Sequence, residues 1–178
     1  MTGMSTPFMQ AAFIVNDLEQ AVRHWIKTAR VGPFFIVPHA KVERILYRGA
    51  PAELDFSGAL AQAGPLQIEL IQQHNDGPSA YRDMYPKGRE GFHHLCTMTQ
   101  DFDAEIARLR AEGSPAATEG AFGDMRFAYI DTRARLGHMT EVIEDRDSIK
   151  SLFKMIADAA AGWDGTDPIR SVIARGPA

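Results

Sequence analysis

Four side chains could do chemistry in this chain if the fold brings them together: Gln10, Glu69, His94 and Glu141. Glu69 lies in the middle of "LQIELIQ", between Ile68 and Leu70. Glu141 lies in the middle of "HMTEVIE", between Thr140 and Val142. A carboxylate inside an apolar strand is costly to bury without a partner, and each half of the chain has one. His94 belongs to "GFHHLCTM", where two histidines stand side by side. Neighbours in a regular strand face opposite sides of the sheet, so only one of the pair is expected to face a site. A neutral amide oxygen, two carboxylates and one imidazole form a donor set suited to a divalent metal ion.

The elements that must position these groups can be read from the pattern. "QAAFIVND" reads as a strand that stops at Asp17, a helix cap, with Gln20 where a capping-box partner belongs. Leu18, Ala21, Val22, Trp25 and Ile26 then recur at helical spacing, and Gly32 and Pro33 end the helix. "KVERILYRG" reads as a strand before a turn at Gly49, Ala50 and Pro51. "AELDFSGALAQAGPLQIELIQQ" reads as two strands around Gly64 and Pro65. "HNDGPSAYRDMYPKGREG" is a linker with a short helical piece. The pattern then restarts with the strand "HHLCTMTQD", the cap Asp101, and a helix carrying Phe102, Ile106 and Leu109. "DMRFAYIDT" and "GHMTEVIED" read as strands joined by a hairpin-like loop. A last helix over about 148–161 presents Ile149, Leu152, Phe153 and Ile156, to cover a sheet or make an interface, and Trp163 is placed to anchor the tail.

Each half therefore reads β-α-β-β(-β). A shift of 84 residues carries Gln10 onto His94 and Asp17 onto Asp101, which marks an internal duplication forming a paired module. Alternation puts Ala11, Phe13 and Val15 toward the helices and Gln10, Ala12 and Ile14 on the other face. By correspondence His94, Cys96 and Met98 share the face of Gln10, while His93 is expected to pack toward the helices. With the halves as a pseudo-twofold pair, Gln10, Glu69, His94 and Glu141 can converge in one cavity. Cys96 is expected in the core. His24, His39, His74 and His138 are expected on the surface or in loops, as are Arg133 and Arg135.

A chain of 178 residues suggests one domain: a core over 8–145, with modules at about 8–75 and 91–145, and a tail over 146–178. The net charge of -4 gives no footprint for nucleic acid. No apolar run is long enough to span a bilayer, and the N-terminus lacks a signal-peptide pattern. With one cysteine there is no internal disulfide. A cytoplasmic protein with no membrane partner is the expectation.

Over roughly Met9 to Glu144 the sequence resembles the vicinal oxygen chelate superfamily, which includes glyoxalase I and methylmalonyl-CoA epimerase. The resemblance rests on Gln10 seven residues before the Asp17 cap, Glu69 in "QIELIQ", His94 in "HHLC" and Glu141 in "DTRARLGHMTEVIE". It implies an α+β fold of paired βαβββ modules, forming an open, cupped mixed sheet with helices on its outer face. It also implies a homodimer and a small-molecule substrate, with one divalent ion (Zn, Ni, Co, Mn or Mg) held by those four residues. The implied activity is that of a metal-dependent isomerase or lyase, in which the metal polarises a substrate carbonyl and stabilises an enediolate. Glu141 is the implied base and Glu69 the second candidate. The implied His94 is a steady neutral ligand whose other ring nitrogen is held by a neighbour. The donor set is similar to that of some glyoxalase I enzymes, whereas the connection "IELIQQHNDGPSAY…GREGFHHL" looks more like the epimerase branch. A CoA thioester, a glutathione adduct and another catabolite all stay open. Two alternatives stand beside this reading. One is a metal-free small-molecule binder of the bleomycin-resistance type. The other is an extradiol-type dioxygenase, disfavoured because Gln10 stands where the first histidine of a two-His-one-carboxylate triad would be.

Overall fold

Eleven strands join into one mixed sheet in the computed structural model, which describes residues 7–172. In the first half, β1 (Gln10–Ile14) leads into α1 (Leu18–His24), then β2 (Phe34–Val37), the short pair β3 (Glu43–Tyr47) and β4 (Ala50–Pro51), β5 (Phe56–Ala63) and β6 (Leu66–Gln73). A linker helix α2 (Ala80–Met84) precedes the second half. That half runs β7 (Gly91–Thr99), α3 (Phe102–Ala111), β8 (Ala116–Phe122), β9 (Met125–Ile130), α4 (Arg133–Leu136) and β10 (Met139–Glu144). Helix α5 (Asp147–Ala160) and β11 (Ile169–Ser171) complete the described chain.

The strand order is β11-β2-β5-β6-β1-β7-β10-β9-β8-β3-β4. It is pseudo-symmetric about the antiparallel β1–β7 pair. The order β1-β6-β5-β2 on one side answers β7-β10-β9-β8 on the other, and each first strand pairs parallel with the last strand of its own half. Asp17 accepts from the Gln20 amide at 2.9 Å and Asp101 from the Ala104 amide at 3.1 Å, so both caps form where the sequence places them. One face of the sheet carries the helices. Ala11, Val15, Ile68 and Leu70 pack with Leu18 and Val22 of α1, and Ala128, Ile130 and Val142 pack with Phe102 and Ile106 of α3. The other face is cupped and carries Ala12, Ile14, Phe56, Cys96, Phe127, Tyr129 and Met139.

The structure departs from the sequence reading at several elements. β2 and β8, equivalent strands in the two halves, are not legible as strands. β2 is four residues following Pro33, and "AATEGAF" in β8 is mostly small residues with an interior glycine, a poor strand former. β3 leaves its own half and pairs with β8, extending the second half's edge. The expected hairpin loop before β10 is the helical turn α4. The tail forms a strand, β11, parallel to β2. The crossing of β3 is secured by ion pairs: Arg48 reaches Asp83 at 2.5 Å and Asp131 at 3.0 Å, and Arg133 reaches Asp131 at 2.8 Å. Arg133 is therefore structural. Arg135, which donates to the Glu112 carbonyl, is likewise engaged within the protein.

Candidate active site

The central strands lie in the order β6-β1-β7-β10, and each supplies one of the four sequence-selected side chains: Glu69, Gln10, His94 and Glu141. In register, Ala12 of β1 lies between Glu69 on β6 and His94 on β7. Ala12 is fully buried on the cupped face, and its single methyl lets the carboxylate and imidazole meet above it. Glu141 lies opposite Cys96, two residues beyond His94. The structure brings His94 Nε2 to 3.2 Å from a Glu141 oxygen and 3.5 Å from a Glu69 oxygen. A donor atom from each of the three lies within 4.8 Å of the others. Gln10 lines the same cavity as the two glutamates, and its amide nitrogen donates to Gln67 Oε1 at 2.7 Å. That leaves the amide oxygen as the atom it could offer. Gln67, also buried, is a site neighbour the sequence reading did not name.

His93 corrects the sequence reading. It does not face the outer helices; it lies beside His94, on the cupped side of the sheet. The β1–β7 register shifts between Ala12, opposite His94, and Phe13, opposite Phe92, so His93 is left without a partner. An extra residue in one strand resets the alternation of side chains. Phe92 and Leu95 accordingly face the helix side, whereas His93 and His94 both pack against Tyr129. His93 Nδ1 is 2.8 Å from His94 Nδ1, and His93 Nε2 is 3.0 Å from the Ala80 carbonyl of α2. The carbonyl can only accept, so His93 Nε2 carries the proton. Burial, with His94 close by, lowers the His93 pKa well below the ordinary histidine value and keeps the ring neutral. Its bare Nδ1 then accepts from His94 Nδ1–H. These bonds aim His94 Nε2 at the two carboxylates.

Charge balance decides what the cluster wants. Burial raises the pKa of Glu69, assisted by the nearby Glu141 carboxylate, although His94 opposes the rise. For His94, burial disfavours the cation, yet Glu141 and Glu69 outweigh it and hold the group at about 9. His94 Nε2 is fully buried and, among the described residues, has no aligned hydrogen-bond partner despite its short distances to both carboxylates. An orphaned imidazole nitrogen between two carboxylates fits a divalent cation in donor type and charge. A second group, His39, Asp55 and His74, also offers clustered donors, but it is exposed. Its atoms are already partnered: His39 with Asp55 at 2.7 Å and His74 with Ser57 at 2.7 Å. Cys96 is buried, and its pKa is raised well above the ordinary thiol value by burial and by Glu141, so it is held as a neutral thiol.

The carboxylates open onto a cavity of about 200 Å³. Its walls are Phe56, Leu60, Phe122, Met125 and Ile143 of the sheet, closed over by Ile149, Leu152 and Phe153 of α5.

A family model described as the Glyoxalase/Bleomycin resistance protein/Dioxygenase superfamily matches residues 9–129. Methylmalonyl-CoA epimerase from Mycobacterium tuberculosis is similar in structure, with a TM-score of 0.56 at 16% identity over 85% of this chain and 97% of that one. A hypothetical protein from Bacillus halodurans C-125 has a TM-score of 0.53 at 16% identity, over 80% of this chain and 96% of its own. At these identities the likeness is one of fold. No curated protein matches the sequence.

Proposed function

The chain belongs to the Glyoxalase/Bleomycin resistance protein/Dioxygenase superfamily, and from that premise we propose that it moves a proton next to a substrate carbonyl at a divalent metal held by Glu69, His94 and Glu141, with Gln10 alongside. The observation that carries this reading is the buried Nε2 of His94, 3.2 and 3.5 Å from two carboxylates yet without an aligned hydrogen bond. The bound ion, when present, supplies positive charge against a carbonyl oxygen and so acidifies the neighbouring C–H. With an ion bound, His94 would give up its Nε2 proton and serve as a neutral donor, kept in that tautomer by His93.

Glu69 and Glu141 come from opposite halves of the sheet and flank His94 from β6 and β10. A substrate in the cavity would have one carboxylate on each side of its reacting carbon. Glu141 would take the α-proton and return it to the same or the adjacent carbon, with Glu69 the second candidate for that role; that would make the reaction an isomerisation or epimerisation. The cavity walls around the two carboxylates are apolar, which would limit side reactions with bulk water. The membership of methylmalonyl-CoA epimerase in the same fold group agrees with this class of chemistry.

The test is metal content and solvent exchange on the full chain. Elemental analysis is expected to find one divalent ion in the central site, retained in an H39A/H74A background and lost in H94A. With a bound α-hydroxyketone in D₂O, deuterium incorporation at the α-carbon is expected to fall by about 10²–10⁴-fold in Glu141→Gln. Protein that retains no ion in the central site overturns the reading in favour of a metal-free binder.

A further inference from the structure

Helix α5 decides what can reach the proposed centre. Its apolar residues Ile149, Leu152, Phe153 and Ile156 follow the i, i+3, i+4, i+7 spacing of one helical face. Ile149 and Phe153 join the core of the cupped face, and Ile156 packs fully buried against Phe35 and Leu60 of the first half. The helix therefore crosses the mouth of the cup from one half to the other. It lies beyond the residues matched by the family model.

The crossing is fastened along its length. At the start, Ser148 Oγ donates to Asp124 at 2.6 Å and Lys150 pairs with Asp145 at 2.7 Å. In the middle, Ile156 is sealed into the sheet. At the end, β11 pairs with β2 and the Trp163 ring sits against Gly32, where a Cβ would come within 2.6 Å of it. A helix held at three places is a fixed wall, not a lid.

The cavity beneath α5 holds about 200 Å³, below the ~300–1,000 Å³ of sites for drug-sized ligands. Among the described residues its lining contains no lysine or arginine, and the charged side chains there are Glu69 and Glu141. Two carboxylates already balance a divalent ion, so an anionic tail would enter without a counter-charge.

Resting on the reading of the site given above, we infer that α5 restricts this enzyme to compact, largely apolar substrates that carry no charged tail and offer adjacent oxygens to the metal. It excludes CoA thioesters and glutathione conjugates. Leu152 and Phe153 set the size limit.

Calorimetric titration of the zinc-loaded full chain tests this with tropolone, a compact apolar chelator, against malonyl-CoA and S-lactoylglutathione. Tropolone is expected to bind one to one, and the two large anions about 100-fold more weakly or not at all. Leu152→Ala and Phe153→Ala are expected to raise the affinity for isopropyl-substituted tropolone, relative to tropolone itself, by about tenfold. A CoA thioester or glutathione conjugate binding within about tenfold of tropolone overturns the inference, as does a tropolone preference unmoved in both folded variants. Zinc content measured on the same samples separates the two readings. Protein that holds no zinc sinks the metal assignment alone. The size limit is then read by saturation-transfer NMR with cyclohexanone, which needs no metal, against the same CoA thioester. Binding of the ketone alone supports the limit, and any other result overturns it.

Discussion

Replacing His93 by phenylalanine separates orientation from packing at the candidate site. Phenylalanine keeps the ring and its edge contacts with Tyr81 at 5.2 Å and Tyr129 at 5.5 Å. It removes both hydrogen bonds of the imidazole, stranding His94 Nδ1 in a fully buried place, while the Ala80 carbonyl keeps its place in the backbone bonding of α2. A buried group left unpaired costs about 1–3 kcal/mol, so the variant is expected to lose about 1–3 kcal/mol of stability in urea denaturation. A lost stability increment alone would suit any core histidine. The second readout is metal affinity, measured by competition with a fluorescent zinc chelator at pH 7. With the His94 ring free to turn or to change tautomer, zinc affinity is expected to drop by about 10–100-fold, the usual scale for losing the partner of a ligating histidine. His93→Gln, which retains a donor and an acceptor, is expected to recover part of that loss. Wild-type zinc affinity in folded His93→Phe refutes the orienting role and leaves His93 a packing residue.

Four further outcomes are expected. His94 has a folded pKa of about 9 against an ordinary 6.5, so in metal-free protein its stabilising contribution is complete below about 6.5 and lost as pH rises through about 9. Zinc must displace that proton; calorimetry in buffers of different ionisation enthalpy is expected to show about one proton released per ion near pH 7, vanishing above pH 9. Asp131 is held at about 2, first by its bond to Arg133, so its contribution is present above about 4 and is lost as pH falls through 2. Asp131→Asn is expected to lower stability by about 1–2 kcal/mol at pH 7, a value reduced from the full shift because Arg48 is partly exposed. Ala12→Val puts a branched side chain between Glu69 and His94; it is expected to cost about 1–3 kcal/mol and to abolish zinc binding while circular dichroism stays native. Ile156→Ala is expected to cost about 2–5 kcal/mol by thermal unfolding.

Much of this architecture was legible because periodicity and capping are local properties. Asp17 and Asp101 mark the start of each helix by a side chain that accepts from an amide three residues on, which the sequence shows directly. The faces of Gln10, Glu69 and Glu141 follow from a period of two in strands that stay regular around them. What stayed hidden depends on pairing between distant segments. The departure of β3 into the second half is fixed by its register with β8 and by Arg48 reaching Asp83 and Asp131, none of which leaves a periodic trace. The role of α5 was open between cover and interface, because an apolar stripe does not reveal what it meets.

The bulge at His93 shows why the reading failed at one residue while succeeding around it. A strand pattern propagates by alternation, so one inserted residue should invert every assignment on one side of it. Here Phe92 and Leu95 both face the helix side, across two residues instead of one. Both histidines between them are therefore free to face the cup, and only this arrangement lets one ring aim the other. With strict alternation His94 would keep its side but lose its partner, leaving a second buried imidazole nitrogen to satisfy. The doublet in "GFHHLC" is thus explained by the bulge: a single histidine can offer a donor atom to an ion, but two on the same face also fix which nitrogen is offered.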